Sequence, residues 1–197
     1  HGSHITHPAP TGLFPLCVDA AQAFGSGTHA TTKGCLLAIQ NASRSKRHIR
    51  RILDLGCGSG ILSMAAKSLN PSAAVMAADY DKISVETTRQ NWHINQYPKT
   101  AFFALHSDGF SHERLRGKQK FDLIVANILA KPLKQFAPLI AQNLASNGRV
   151  ILSGLLTSQM RDIRAIYRHH HLFVMQHIQM DAWSTLLLAP KTNYTKR

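Results

Sequence analysis

The chain has 197 residues, enough for one domain of upper-middle size, and its 44% hydrophobic content excludes a disordered polymer. It carries 23 Lys+Arg against 10 Asp+Glu, a net charge of +13, which predicts attraction to nucleic acid or a ribonucleoprotein and is silent on fold. Three cysteines without a C-x-x-C pair exclude a disulfide framework and a zinc ribbon, so a reducing, cytoplasmic setting is expected, and no apolar run approaches the roughly 18 residues of a membrane span.

Residues 1–12 hold three His and two Pro without periodicity and read as a linker or lead-in. His1-Gly2-Ser3-His4 fits a cloning scar or a native linker equally well. Leu13–Ala20 is expected as a short strand. Ala23–Thr28 is a glycine-bearing loop, with Thr28 as N-cap of a helix reaching about Ala42. The basic stretch Arg44–Arg51 precedes the first clear core strand, Ile52–Leu55. From there strands and helices alternate: helix Ile61–Leu69, strand Ala73–Ala78, helix Lys82–Asn95 with Ile83, Thr87, Gln90 and Ile94 on successive turns, and strand Ala101–Leu105. Then come strand Phe121–Ala126, an amphipathic helix Pro132–Leu144, a turn at Asn147-Gly148 and strand Arg149–Leu152. Helix Ser158–His169 and strands Leu172–Gln179 and Trp183–Leu188 complete the chain. Strands separated by helices predict a doubly wound, mostly parallel α/β sheet, and the last two strands, with no helix between them, an antiparallel edge hairpin. The expected organisation is a lead-in over 1–19, one α/β domain over 20–190 and a basic tail over 191–197.

Four features carry chemistry. Ile52-Leu53-Asp54-Leu55-Gly56-Cys57-Gly58-Ser59-Gly60 places three glycines at alternate positions after a strand, where the backbone can turn sharply and approach a nucleotide-like ligand. Its G-x-G-x-G spacing differs from the G-x-G-x-x-G that seats a pyrophosphate, which makes an NAD-dependent enzyme the least favoured reading and suits a phosphate-free nucleoside such as S-adenosylmethionine. Asp79, at the next strand end, can accept hydrogen bonds from both hydroxyls of a ribose, whereas Asp81, just before a helix, reads as a cap. Asn127, at a further strand end, can accept a hydrogen bond from an incoming amine, or serve simply as a turn residue. In Ala23–Thr32, Phe24 offers an apolar lid and Thr28, Thr31 and Thr32 offer hydroxyls; the loop can fold over a ligand or do no more than cap a helix. His169-His170-His171 reads as a solvated helix end, Cys57 as a packed residue, and the cluster Arg44, Lys46, Arg47, Arg50, Arg51 as a solvated face, with an RNA-proximal surface as the alternative.

Taken in order, AFGSGTHATT (23–32), ILDLGCGSGILSMAA (52–66), ADYD (78–81) and DLIVANILAKPLKQFAPLIAQNL (122–144) resemble the ribosomal protein L11 methyltransferase family over about Ala20–Ala189. The resemblance implies a class I methyltransferase fold and S-adenosylmethionine bound by Phe24, Thr32, Gly56, Gly58, Asp79 and Asn127, leaving S-adenosylhomocysteine as product. It implies N-methylation of lysine ε-amino groups and an N-terminal α-amine on ribosomal protein L11, with Asn127 orienting the nitrogen, and neither a metal nor a membrane. The chain departs from the family at Tyr80 and Lys82, where Asp-Ile-Asp-Pro is usual, and at Lys131, where Gly is usual. The family's N-terminal substrate-recognition domain has no counterpart in these residues. An RNA N-methyltransferase and a non-catalytic donor-binding module are the competing expectations.

Overall fold

Short apolar strands that bury both faces must be covered by helices on both sides, and the fold follows from that constraint. The computed structural model describes residues 15–19, 29–44, 48–116 and 120–191. In chain order the elements are α1 (Ala30–Arg44), β1 (Arg51–Leu55), α2 (Ile61–Leu69), β2 (Ala74–Asp79), α3 (Lys82–Ile94), β3 (Phe102–His106) and β4 (Phe121–Asn127). They continue with α4 (Ala130–Asn143), β5 (Leu144–Leu156), α5 (Met160–His169), β6 (Leu172–Met180) and β7 (Trp183–Pro190). The seven strands lie in the order β3-β2-β1-β4-β5-β7-β6; β1 to β5 are parallel and β7 runs antiparallel to both neighbours, giving the expected edge hairpin.

Alternate strand residues divide the core. Ile52, Leu123, Val125 and Ile151 face α1, α2 and α3 with Ile39, Met64 and Trp92. Leu53, Leu55, Ile124 and Leu152 face α4 and α5 with Leu133, Ile140 and Tyr167. Each such fully buried side chain contributes about 1.5–3 kcal/mol. The strand order reverses between β1 and β4, so the loops leaving these strands diverge and a crevice opens at their carboxyl ends.

Three expectations are corrected. Residues 15–19 form no strand. They lie instead along α3, where Asn91 and Asn95 side chains pair with the backbones of Asp19 and Cys17 at 2.7–2.9 Å. The buried face of α3 is also the opposite of the one expected: Ile83 and Ile94 are 52% and 44% exposed, while Ser84, Val85, Thr88, Asn91 and Trp92 face inward. The polar residues on that face are used, since Asn91 Nδ2 also donates to Ser59 O (2.8 Å) and Thr88 Oγ1 to Gly58 O (2.9 Å), tying the helix to the glycine turn. Finally, Asn147-Gly148 lies within β5, at a bulge where pairing with β4 jumps from Phe121–Leu144 to Leu123–Arg149.

Candidate active site at the strand tips

At the end of β1 the backbone N–H groups of Gly56 and Cys57 both donate to Ala78 O of β2, at 2.7 and 3.1 Å, which fixes the glycine turn against the neighbouring strand. Gly56 has φ +77°, and a Cβ there would lie 2.2 Å from Ile128 Cγ2. The turns after β1 and β4 can therefore touch only because residue 56 has no side chain.

Asp79 closes β2 and is 7% exposed. Its Oδ2 accepts from Gly58 N (2.9 Å) and its Oδ1 from Asp81 N (3.0 Å). A carboxylate has about four acceptor positions, so each oxygen keeps capacity for a further donor while the group stays locked to the glycine turn. Asp81 is committed elsewhere. As N-cap of α3 it accepts from Ile83 N, Ser84 N and Ser84 Oγ, and the Ser84 hydroxyl first, then these backbone amides, hold its carboxyl below the usual range.

The crevice has two lobes that share Gly56, Asp79, Tyr80 and Ile128. One, of about 300 Å³, is lined by Thr32, Cys57, Gly58 and Asn127. The other, of about 370 Å³, is walled by Leu55, Ala78 and Phe136, with Ser107 and Asp108 from the loop after β3. Thr32, Gly56, Gly58, Asp79 and Asn127 are thus brought together; Phe24 lies outside the described residues.

Three buried oxygens around the glycine turn have no hydrogen-bond partner among the described residues: Thr32 Oγ1, Asp54 Oδ1 and Asn127 Oδ1. Each such atom costs about 1–3 kcal/mol unless a ligand or ordered water satisfies it, and native folds keep few of them. Asp54 is fully buried; Ser63 Oγ donates to its other oxygen at 2.7 Å, and burial pushes its pKa up to about 6. Cys57 is buried, Thr88 Oγ1 lies 3.3 Å from its Sγ, and burial drives the thiol well above its ordinary pKa, which removes it as a nucleophile.

Two contributors were missed in the sequence. The loop Ser107-Asp108-Gly109 belongs to the second lobe, and Ser107 N is anchored on Asp79 O at 2.8 Å; its position at a strand end, the same signal that marked Asp79, would have found it. Gly154 in β5 has φ +82°, and a Cβ there would sit 2.4 Å from Ile128 O, so its bareness lets β5 pass the turn carrying Asn127 and Ile128. A lone glycine in a strand signals such a close approach. The basic cluster is placed in part: Arg50 N and Arg51 N donate to Asp122, and Arg51 lies 5.6 Å over the Phe121 ring, while Lys46 and Arg47 lie outside the described residues.

Comparison with known proteins agrees with this geometry. The family model described as "Ribosomal protein L11 methyltransferase (PrmA)" matches residues 5–191. The chain is similar to the ribosomal protein L11 methyltransferases of Bradyrhizobium diazoefficiens (40% identity, 95% of this chain and 63% of that one) and Agrobacterium fabrum (38%, 95% and 63%). It therefore spans 63% of the length of these relatives. The crystal structure of ribosomal protein L11 methylase from Lactobacillus delbrueckii subsp. bulgaricus superposes with a TM-score of 0.82 at 27% identity, covering 94% of this chain and 90% of that one. Precorrin-6y C5,15-methyltransferase from Geobacter metallireducens shares the fold alone (TM-score 0.70, 15% identity, 91% and 100% covered). With a family model matched across almost its whole length and relatives at this identity, the chain belongs to the ribosomal protein L11 methyltransferase family.

Proposed function

We propose that this chain is the catalytic domain of a cytoplasmic, S-adenosylmethionine-dependent N-methyltransferase acting on lysine ε-amino and N-terminal α-amino groups of ribosomal protein L11. The residues fit that donor on one observation above all: Thr32 and Asn127 line the lobe beside the glycine turn, each with a buried oxygen free to take a partner, and Asp79 stands between the two lobes with acceptor capacity to spare. A nucleoside with an amino-acid arm needs such a two-lobed crevice. Asp79 takes the ribose diol, the lobe walled by Leu55, Ala78 and Phe136 takes the adenine, and the polar lobe takes the methionine arm.

When bound, S-adenosylmethionine supplies a methyl carbon on a positively charged sulfur, open to in-line displacement. Thr32, Gly56 and Gly58 hold the donor's arm, and Asn127 Oδ1 accepts a hydrogen bond from the incoming amine, directing its lone pair at the methyl carbon. Alignment of this kind and exclusion of water are what the site has to supply for an in-line displacement. The amine must arrive neutral, and with an unperturbed lysine pKa of ~10.4 that costs about 4.6 kcal/mol at pH 7. Desolvation in the crevice lowers that pKa and so reduces the cost. As the new N–C bond forms the C–S bond breaks, its electron pair stays on sulfur, and the ammonium product loses its proton to solvent.

The test is incubation of the chain with methyl-labelled donor and purified L11, with and without ribosomal RNA. Label on lysine and α-amino nitrogens of the protein supports the reading. Label only on RNA moves the substrate to nucleic acid, and donor binding without any labelled product reduces the chain to a binding module.

A further inference from the structure

The surface of α5 is built unlike that of the other helices. Arg161, Arg164 and Arg168 are all exposed and, spaced i, i+3, i+7, form one stripe, while Ile163 and Tyr167 on the opposite side are fully buried. Some arginines elsewhere have structural partners: Arg89 binds Glu86 (3.3 Å) and Ala104 O (2.7 Å), and Arg116 Nε binds Phe110 O (2.9 Å). The three of α5 have no hydrogen bond or ion pair with any described residue. The one acid on the helix, Asp162, is held by Lys134 of α4 at 3.0 Å, so no local carboxylate offsets the stripe. At its lower end the stripe runs into His169-His170-His171, and Arg164 and Arg168 border a recess of about 270 Å³ closed by Leu172, Phe173 and Val174 of the outermost strand β6.

We propose that this face of α5 and the start of β6 docks the phosphate backbone of RNA. Guanidinium forks pair bidentately with phosphate oxygens and need little ordering to do so. The recess admits a phosphate between two such forks. An anionic membrane fits less well, because the apolar side of α5 is spent on the core, with Tyr167 OH donating to Leu133 O at 2.9 Å, and no apolar stripe is left to enter a bilayer. β6 is parallel to β5, so α5 ends at the opposite end of the sheet from the crevice. RNA held there leaves the crevice open, and the inference stands whether or not the methyl acceptor is a protein.

Fluorescence anisotropy with a labelled 20-base-pair RNA hairpin tests it across a salt series. Three proteins are compared: the unmodified chain, R161A/R164A/R168A, and a control, R50A/K99A/K120A, that removes as much charge elsewhere. Deprived of three phosphate-binding guanidiniums, the α5 variant should bind at least about 30-fold more weakly at moderate salt, its log–log salt slope shallower by about 2–3, while the control moves less than about threefold. Thermal melting of both variants should match the unmodified chain, the replaced side chains being exposed. Equal losses in both variants, an α5 variant within threefold of the unmodified chain, or tighter binding to phosphatidylserine vesicles than to RNA would each overturn the proposal.

Discussion

Asn127 and Asp79 sit at the tips of the two strands flanking β1, and their tasks separate experimentally. An orienting amide acts on the acceptor, so Asn127→Ala should lower kcat by one to two orders of magnitude with donor affinity changed severalfold at most. Steady-state kinetics beside calorimetry read both, and equal losses would remove the orienting role. Asp79→Asn keeps the shape but gives up charge-assisted bonds of about 1.5–3 kcal/mol each, and should weaken donor binding tenfold or more. Asp54 gives a pH signature. Its folded pKa of about 6 lies above the ordinary carboxylate value, so the native state holds the proton more tightly than the unfolded chain does. Stability at this site is therefore undiminished below about pH 4 and falls as pH rises toward 6, by about 3 kcal/mol in all. In denaturant titrations the stability of Asp54→Asn relative to the unmodified chain should climb between pH 4 and pH 7; a flat difference would mean that the carboxylate is already paired.

Among elements, α3 shows best what pattern reading resolves. Its existence and bounds were legible because Asp81 caps it and the helical composition runs unbroken to Asn95. Its face was not, because hydrophobic periodicity assumes that apolar residues point inward, whereas here Thr88, Asn91 and Asn95 are turned inward to tether the glycine turn and residues 15–19. Tertiary hydrogen bonding overrode the pattern. Asn91→Leu should accordingly destabilise the chain, despite adding apolar surface, by about 2 kcal/mol, or some 4–8 °C in Tm, since Ser59 O and Asp19 lose a partner. The strands were read more accurately, because residues covered on both faces give continuous apolar runs that end at Asp79 and Asn127. The bulge of β5 escaped because Asn147-Gly148 has the composition of a hairpin turn. At the next irregularity, Gly154→Ala should push the Ile128 turn off β5, lowering both Tm and donor affinity; a change in Tm alone would separate that glycine from the site.

At the scale of the molecule, charge and crevice are distributed separately. Acids are few, and three at or beside the crevice have assigned geometry: Asp79 on the glycine turn, Asp81 capping α3 and Asp54 within β1, while Asp108 lines the second lobe. Arg161, Arg164 and Arg168, which have no partner among the described residues, line up on α5. The family and the donor crevice were legible because both depend on short segments at strand ends. Which acceptor enters was carried only by resemblance, since acceptor selection depends on surfaces beyond the glycine turn and relatives run to about one and a half times this chain's matched length. The measurement that bears most directly on the account is isothermal titration of S-adenosylmethionine, and separately of NAD, into the unmodified chain and into Asp79→Asn. One-to-one binding of S-adenosylmethionine, at least tenfold weaker in the variant and with no heat from NAD, is the predicted result. Saturable NAD binding without S-adenosylmethionine binding, or an affinity indifferent to Asp79, would contradict it.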